Sequence, residues 1–161
     1  MAIKVGDRLP DVTFRIPGED GPVVKTTSEL FAGKKAVLFA VPGAFTPTCH
    51  KNHLPGYLAK ADAFKTKGID AILVTAVNDP FVMEAWANAT GANGKITFLA
   101  DGNGEFAKAV GLDLDASPFG LGLRSKRYAM VVDDGMVTVL AVEDVPSNAE
   151  KSGAEALLKL F

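Results

Sequence analysis

The sequence predicts an α/β fold, a mixed β-sheet with helices on both faces. Three observations carry that prediction. Two apolar runs, residues 36–41 and 69–77, are short and rich in strand-forming residues, the pattern of buried strands. Two helix starts follow them, Thr46-Pro47 and Asp79-Pro80, each a capping side chain followed by a proline that is pre-set for the first helical turn. The segments run in the order β-β-α-β-α-β-α-β-β-α, which a mixed sheet covered on both sides satisfies.

The elements follow in chain order. Residues 12–16 alternate at period two and read as a strand; a turn through Pro17-Gly-Glu-Asp-Gly-Pro22 leads to an antiparallel partner at Val23-Val24. Residues 28–31 make a brief helical turn ended at Gly33, before the strand at 36–41. A helix from Pro47 to Gly68 presents Leu54, Leu58, Ala61 and Phe64 at helical spacing, and Pro55 inside it predicts a kink one turn past Cys49. After the strand at 69–77, the helix opened by Asp79 places Val82, Trp86 and Ala89 on one face. A short strand spans 96–99. Asn103 caps a short helix carrying Phe106, Ala109 and Val110, closed by Gly111. A loop of Asp, Gly and Pro runs from Leu112 to Leu123. Residues 128–132 and 136–142 form a hairpin across Asp133-Asp-Gly135. The capping box Ser147-x-x-Glu150 starts the last helix, which buries Ala154, Leu157, Leu158 and Phe161.

Composition narrows the function classes. With 161 residues, 48% hydrophobic and 22% charged, the chain is expected to form a single globular domain over 1–161. A net charge of −2 gives no electrostatic reason to bind nucleic acid or an acidic membrane surface. The run at 36–41 is far short of a membrane span, and no N-terminal targeting pattern is evident, so a cytoplasmic protein is expected. One cysteine makes no intramolecular disulfide, and one cysteine with two histidines makes a poor metal site. No metal and no cofactor are expected.

Cys49 is that single cysteine. It stands three residues after Thr46, at the third position of the helix, where unpaired backbone N–H groups and the positive end of the helix dipole favour the reactive thiolate. A lone cysteine is ordinarily a small buried hydrophobe; the strand-loop-helix setting argues for chemistry here. The Thr46 hydroxyl can accept from the Cys49 N–H as a cap and still donate to a thiolate or a bound oxygen. His53, four residues on, shares the helix face of Cys49, while His50 is expected on the solvated surface. A protease would need a base oriented by a third group, and triads draw that base from a distant segment. Disulfide exchange would normally use a second nearby cysteine. Attack on a peroxide needs donors along the O–O bond, which Thr46, the helix N–H groups and a guanidinium would supply. Arg124 and Arg127 both lie in a basic cluster with Lys126; Arg127, entering the strand at 128–132, is held on a regular element and is the better placed.

These residues resemble a family. Pro42-x-x-x-Thr46-x-x-Cys49 is similar to the peroxiredoxin active-site motif, and the string Pro-Gly-Ala-Phe-Thr-Pro-Thr-Cys-His-Lys-Asn-His-Leu-Pro-Gly-Tyr at 42–57 resembles the type II/type V subfamily. So do Val77-Asn-Asp-Pro-Phe-Val-Met-x-Ala-Trp86 and Gly120-Leu-Gly-Leu-Arg-Ser-Lys-Arg-Tyr128, and the resemblance runs from Lys4 to Phe161. It implies a thioredoxin-like fold and reduction of hydrogen peroxide and organic hydroperoxides. By the same resemblance Cys49 is the peroxidatic thiolate, Thr46 bonds the sulfur and the peroxide, Arg127 is the guanidinium beside the sulfur, and Pro42 shields the site. His53 matches the subfamily histidine, while Thr48, Phe119 and Leu121 fall at substrate-side positions. A homodimer is implied, packed through loops that include Phe45 and Phe81. Many members carry a second, resolving cysteine; here Val74 stands in the matching strand and no cysteine occurs near 147–155. The sulfenic acid formed on Cys49 would therefore be reduced by an outside thiol, glutathione with glutaredoxin or thioredoxin. A redox relay that hands its oxidation to a protein partner would use the same cysteine chemistry.

Overall fold

The computed structural model describes residues 2–161. Strand β1 (Thr13–Ile16) pairs antiparallel with β2 (Val23–Thr26), as expected. Helix α1 (Thr27–Phe31) starts at a capping box in which Thr26 and Glu29 bond each other's backbone, so both helix-start donors are satisfied reciprocally. Strand β3 (Lys35–Ala40) carries the first apolar run. Next come a π-helical turn (Cys49–His53), α2 (Leu54–Ala59), α3 (Ala61–Thr66), β4 (Ala71–Ala76), α4 (Pro80–Thr90) and β5 (Thr97–Ala100). After α5 (Glu105–Ala109), β6 (Asp113–Asp115), a 3-10 turn (Ser117–Phe119) and β7 (Leu123–Ser125), the chain ends with β8 (Tyr128–Asp133), β9 (Met136–Val142) and α6 (Ala154–Leu158).

Seven strands form one mixed sheet in the order β2-β1-β5-β4-β3-β8-β9. Strands β3, β4 and β5 are parallel, and β8 joins β3 antiparallel in register Ala40↔Tyr128. Strand β3 is central, so both of its faces are covered. Val37 and Phe39 point into a core closed by Leu54, Tyr57, Phe64, Met83, Trp86 and Leu157; Leu38 and Ala40 point into a second core with Phe31, Phe106 and Val110. This is the thioredoxin-like architecture expected, with α2, α3, α4 and α6 on one face and α1 and α5 on the other.

Several local expectations are corrected. The helix that follows Cys49 opens into a π turn, in which the Leu54 N–H reaches the Cys49 carbonyl five residues back. Pro55 has no N–H and its ring crowds the preceding turn, so the backbone widens just ahead of it. The helix breaks again at Lys60. The buried face of α4 is Met83, Trp86 and Ala87; Ala89 is exposed. Asn103 does not cap α5. The Asp101 carboxylate does, accepting from the Phe106 and Ala107 N–H groups at 3.0 Å each. The loop expected at 112–123 contains β6, which pairs antiparallel with β7 at its far end to make a small two-stranded sheet. The capping box at Ser147 does not form: α6 begins at Ala154 with Gly153 ahead of it, and residues 143–153 are irregular. The carbonyls of that segment are spent on the site described next.

Candidate active site

The site lies where β3 ends and the Cys49 helix begins. Phe39, on β3, stacks on Tyr57 with ring centroids 4.1 Å apart and tilts against His53 at 5.0 Å, which seats the helix on the sheet. The loop between them is pinned from β4's far end: the Ala44 N–H donates to Asn78 Oδ1 at 2.9 Å. Phe45 takes a left-handed backbone conformation, with φ 65°, a sparsely populated region for an aromatic residue.

Cys49 Sγ is fully buried and is met from two sides. Thr46 Oγ1 lies 2.8 Å away, and Arg127 Nη2 lies 2.9 Å away. The Thr46 hydroxyl also stands 2.7 Å from the Gly43 carbonyl, so it is turned to that carbonyl and the sulfur rather than to the Cys49 N–H. Its one proton can serve either acceptor by rotation about the C–O bond alone. Arg127 directly precedes β8, and its own carbonyl accepts from the Glu143 N–H at 3.0 Å, continuing the hairpin ladder. The side chain is 2% exposed and each arm of its fork is assigned. Nε donates to the Pro146 carbonyl at 2.8 Å, Nη1 to His53 Nδ1 at 2.8 Å, and Nη2 to the sulfur. No carboxylate pairs with this guanidinium among the described residues. A buried cation calls for an anion, and the sulfur is the one group touching it that can become one.

His53 is buried behind Arg127. Its Nε2 lies 2.9 Å from the Ser152 carbonyl and donates to it, which leaves Nδ1 bare to accept from Arg127. Burial, reinforced by the Arg127 charge, pushes the imidazole down to about 3, so the ring is neutral in this arrangement. His53 thus meets the guanidinium rather than the open side of the sulfur. Tyr57 donates to the same Ser152 carbonyl at 2.5 Å. His50 is not solvated as expected: it is half-buried, accepts from Trp86 Nε1 at 3.1 Å and stacks with Phe45.

The remaining candidates make no hydrogen bond to the sulfur. Pro42 is buried, and its carbonyl accepts a long 3.4 Å bond from Arg124, whose Nε donates to the Leu121 carbonyl. The Thr48 hydroxyl donates to the Ser147 carbonyl at 2.9 Å. Phe119 is 82% exposed and Leu121 is also exposed. Phe45 and Phe81 are exposed as well. Sequence reasoning missed Asn78, Pro146, Ser152 and Glu143. Two of these act through backbone carbonyls, which leave no side-chain signature.

A thiol gripped by a hydroxyl and a guanidinium past the carboxyl end of a central strand in a thioredoxin-like sheet defines a thiol oxidoreductase of the peroxide-reducing class. The family model described as Redoxin matches residues 4–158. Among curated relatives, Peroxiredoxin-2C of Oryza sativa subsp. japonica is 49% identical, covering 98% of this chain and 97% of its own length. Chloroplastic Peroxiredoxin-2E of Arabidopsis thaliana is also 49% identical, over 98% of this chain and 69% of that protein. Among solved structures, reduced Prx3 of Vibrio vulnificus in complex with hydrogen peroxide superposes with a TM-score of 0.93 at 52% identity, covering 98% of each chain. The chain belongs to the Redoxin family, as a type II peroxiredoxin with a single cysteine. It is a peroxidase oxidoreductase. Among the described residues no helix is long and apolar enough to cross a membrane.

Proposed function

We propose that the chain reduces hydrogen peroxide and small alkyl hydroperoxides with Cys49 as the nucleophile. The thiolate sulfur attacks the terminal oxygen of the peroxide. An S–O bond forms and the O–O bond breaks; the departing hydroxide or alkoxide takes a proton from solvent and leaves as water or an alcohol. Cys49 is left as a sulfenic acid. The observation that carries this reading is the convergence of Thr46 Oγ1 and Arg127 Nη2 on one sulfur. Donors that hold the sulfur are placed to meet the O–O bond as it lengthens, and the buried charge acts there with little screening. The Vibrio vulnificus relative, solved with hydrogen peroxide, supports the same substrate.

The other roles follow. Pro42 shields the sulfur from solvent, and Thr48 holds the helix start to the Ser147 carbonyl. Phe119 and Leu121 offer apolar contact to an alkyl hydroperoxide. The chain works as one domain, paired with a second copy through the exposed rings of Phe45 and Phe81. With one cysteine, the second half-reaction uses an external thiol: glutathione with glutaredoxin, or thioredoxin. The first thiol displaces water from the sulfenic acid to give a mixed disulfide, and a second releases Cys49 as a thiol.

The test is intact mass of the reduced protein after one equivalent of hydrogen peroxide with a sulfenic-acid trap, in a short time series. Rapid gain of one adduct, absent from Cys49→Ser, is expected. No adduct within minutes would overturn the reading.

A further inference from the structure

Arg127 and His53 both lean on one irregular segment, residues 143–153, and something must hold that segment in place. It supplies the Pro146 carbonyl to Arg127, the Ser147 carbonyl to Thr48, and the Ser152 carbonyl to His53 and Tyr57. Its two ends are joined by one side chain. Glu143 Oε2 accepts from the Ser152 N–H at 2.5 Å and from the Ser152 hydroxyl at 2.6 Å. Both residues are buried, and no cation pairs with the Glu143 carboxylate among the described residues. A buried carboxylate without a cation is costly, and an apolar contact of the same size would serve stability better. Two short charge-assisted bonds from one residue instead fix geometry. The bonded atoms are those of Ser152, whose carbonyl sets the tautomer of His53, whose Nδ1 in turn receives Arg127.

We propose that Glu143 is a positioning residue for peroxide reduction: by clamping Ser152 it closes the 143–153 segment, so that the Ser152 and Pro146 carbonyls hold His53 and Arg127 in line with Cys49 Sγ. The proposal rests on the reading that Arg127 acts on the peroxide at Cys49. The run of contacts is continuous, from Glu143 through Ser152, His53 and Arg127 to the sulfur. Displacing a catalytic group by about an ångström costs on the order of 100-fold in rate.

The experiment compares Glu143→Ala, Ser152→Ala and Asp144→Ala, each alone and combined with Arg127→Ala. Asp144 is a control on the same segment, since its carboxylate meets only the exposed Lys151. Two rates are measured on each protein: single-turnover reaction of Cys49 with hydrogen peroxide, and its alkylation by iodoacetamide. Glu143→Ala is expected to lower the peroxide rate by about 10- to 100-fold, and Asp144→Ala to stay within about twofold of the parent. In the Arg127→Ala background, Glu143→Ala should cost almost nothing more, because the group it positions is gone. Alkylation should not rise, since a clamp that positions leaves the sulfur buried. A peroxide rate for Glu143→Ala within about twofold of the parent overturns the proposal, as does an undiminished loss in the Arg127→Ala background. Faster alkylation in step with the lost peroxide rate also overturns it, because that marks a loosened fold. If Glu143→Ala does not fold, Ser152→Ala decides, removing only the hydroxyl bond; a drop of about threefold or more supports the clamp and no drop sinks it. Failure of the parent protein itself to react with peroxide would instead remove the proposed function.

Discussion

Arg127 Nη2 stands 2.9 Å from Cys49 Sγ, although the two residues are 78 positions apart in the chain. The fork that makes this contact is fixed in orientation, because its other two nitrogens are held by the Pro146 carbonyl and by His53. Arg127→Ala should therefore lower the second-order rate with hydrogen peroxide by about 1,000-fold, combining a lost donor with a lost buried charge. Arg127→Lys should recover little, since an ammonium is a point charge and cannot span three fixed acceptors. Stopped-flow mixing of reduced protein with peroxide measures both. A Lys variant within about tenfold of the parent would show that charge alone suffices.

Thr46 presents one proton to two acceptors, the Gly43 carbonyl and the sulfur. Thr46→Val keeps the shape and removes the proton, so the peroxide rate should fall about 100-fold. Thr46→Ser keeps the hydroxyl and should stay within about tenfold, its loss reflecting a freer rotamer. Equal rates for Val and Thr would mean that the hydroxyl serves the loop alone.

Much of this was legible in the sequence because it is local. The runs at 36–41 and 69–77 became central strands, Asp79 caps α4 through the Phe81 and Val82 N–H groups, and Thr46 meets Cys49 three residues on. Arg127 is the non-local exception, singled out by its place at the start of a strand and by the family resemblance. What was not legible is non-local or uses backbone atoms. Ser147-x-x-Glu150 reads as a capping box, yet Thr48 and Arg127 claim the Ser147 and Pro146 carbonyls and hold the segment in an irregular, non-helical path. Asn103 has the composition of a cap, but Asp101, two residues earlier at the end of β5, reaches the same N–H groups from a buried position. His50 reads as a surface residue because nothing near it in sequence announces Trp86, 36 residues on, as its donor.

The neutral state of His53 makes folding acid-sensitive. Its folded value is pushed down to about 3 from the usual 6.5, so below 6.5 the unfolded chain binds a proton that the folded chain refuses. Stability therefore falls as pH drops from about 6.5 to 3, by on the order of 5 kcal/mol in all, and is unaffected by this group above 7. His53→Gln cannot take up that proton. Urea midpoints at pH 4 and pH 7 should lie far apart for the parent and close together for the variant. A parent whose midpoint does not change across that interval would show that the ring carries a proton in the folded state.

Asp101 offers a stability change separable from the chemistry. Its carboxylate is buried, and burial raises its proton affinity even though the Phe106 and Ala107 N–H groups pull the other way. The bonds start α5, whose Phe106 fills the core on the sheet face opposite Cys49 and packs on Phe14 at 5.0 Å. Asp101→Ala leaves two N–H groups of the first turn without a partner and should destabilise the protein by about 2 kcal/mol. Asp101→Asn keeps one acceptor oxygen and should lose about half as much. The peroxide rate should be unchanged in both at 25 °C, because no contact of Asp101 reaches Thr46, Cys49 or Arg127. Chemical denaturation and stopped-flow rates on the same preparations separate the two effects, and a rate that fell along with stability would tie α5 to the site on the other side of the sheet.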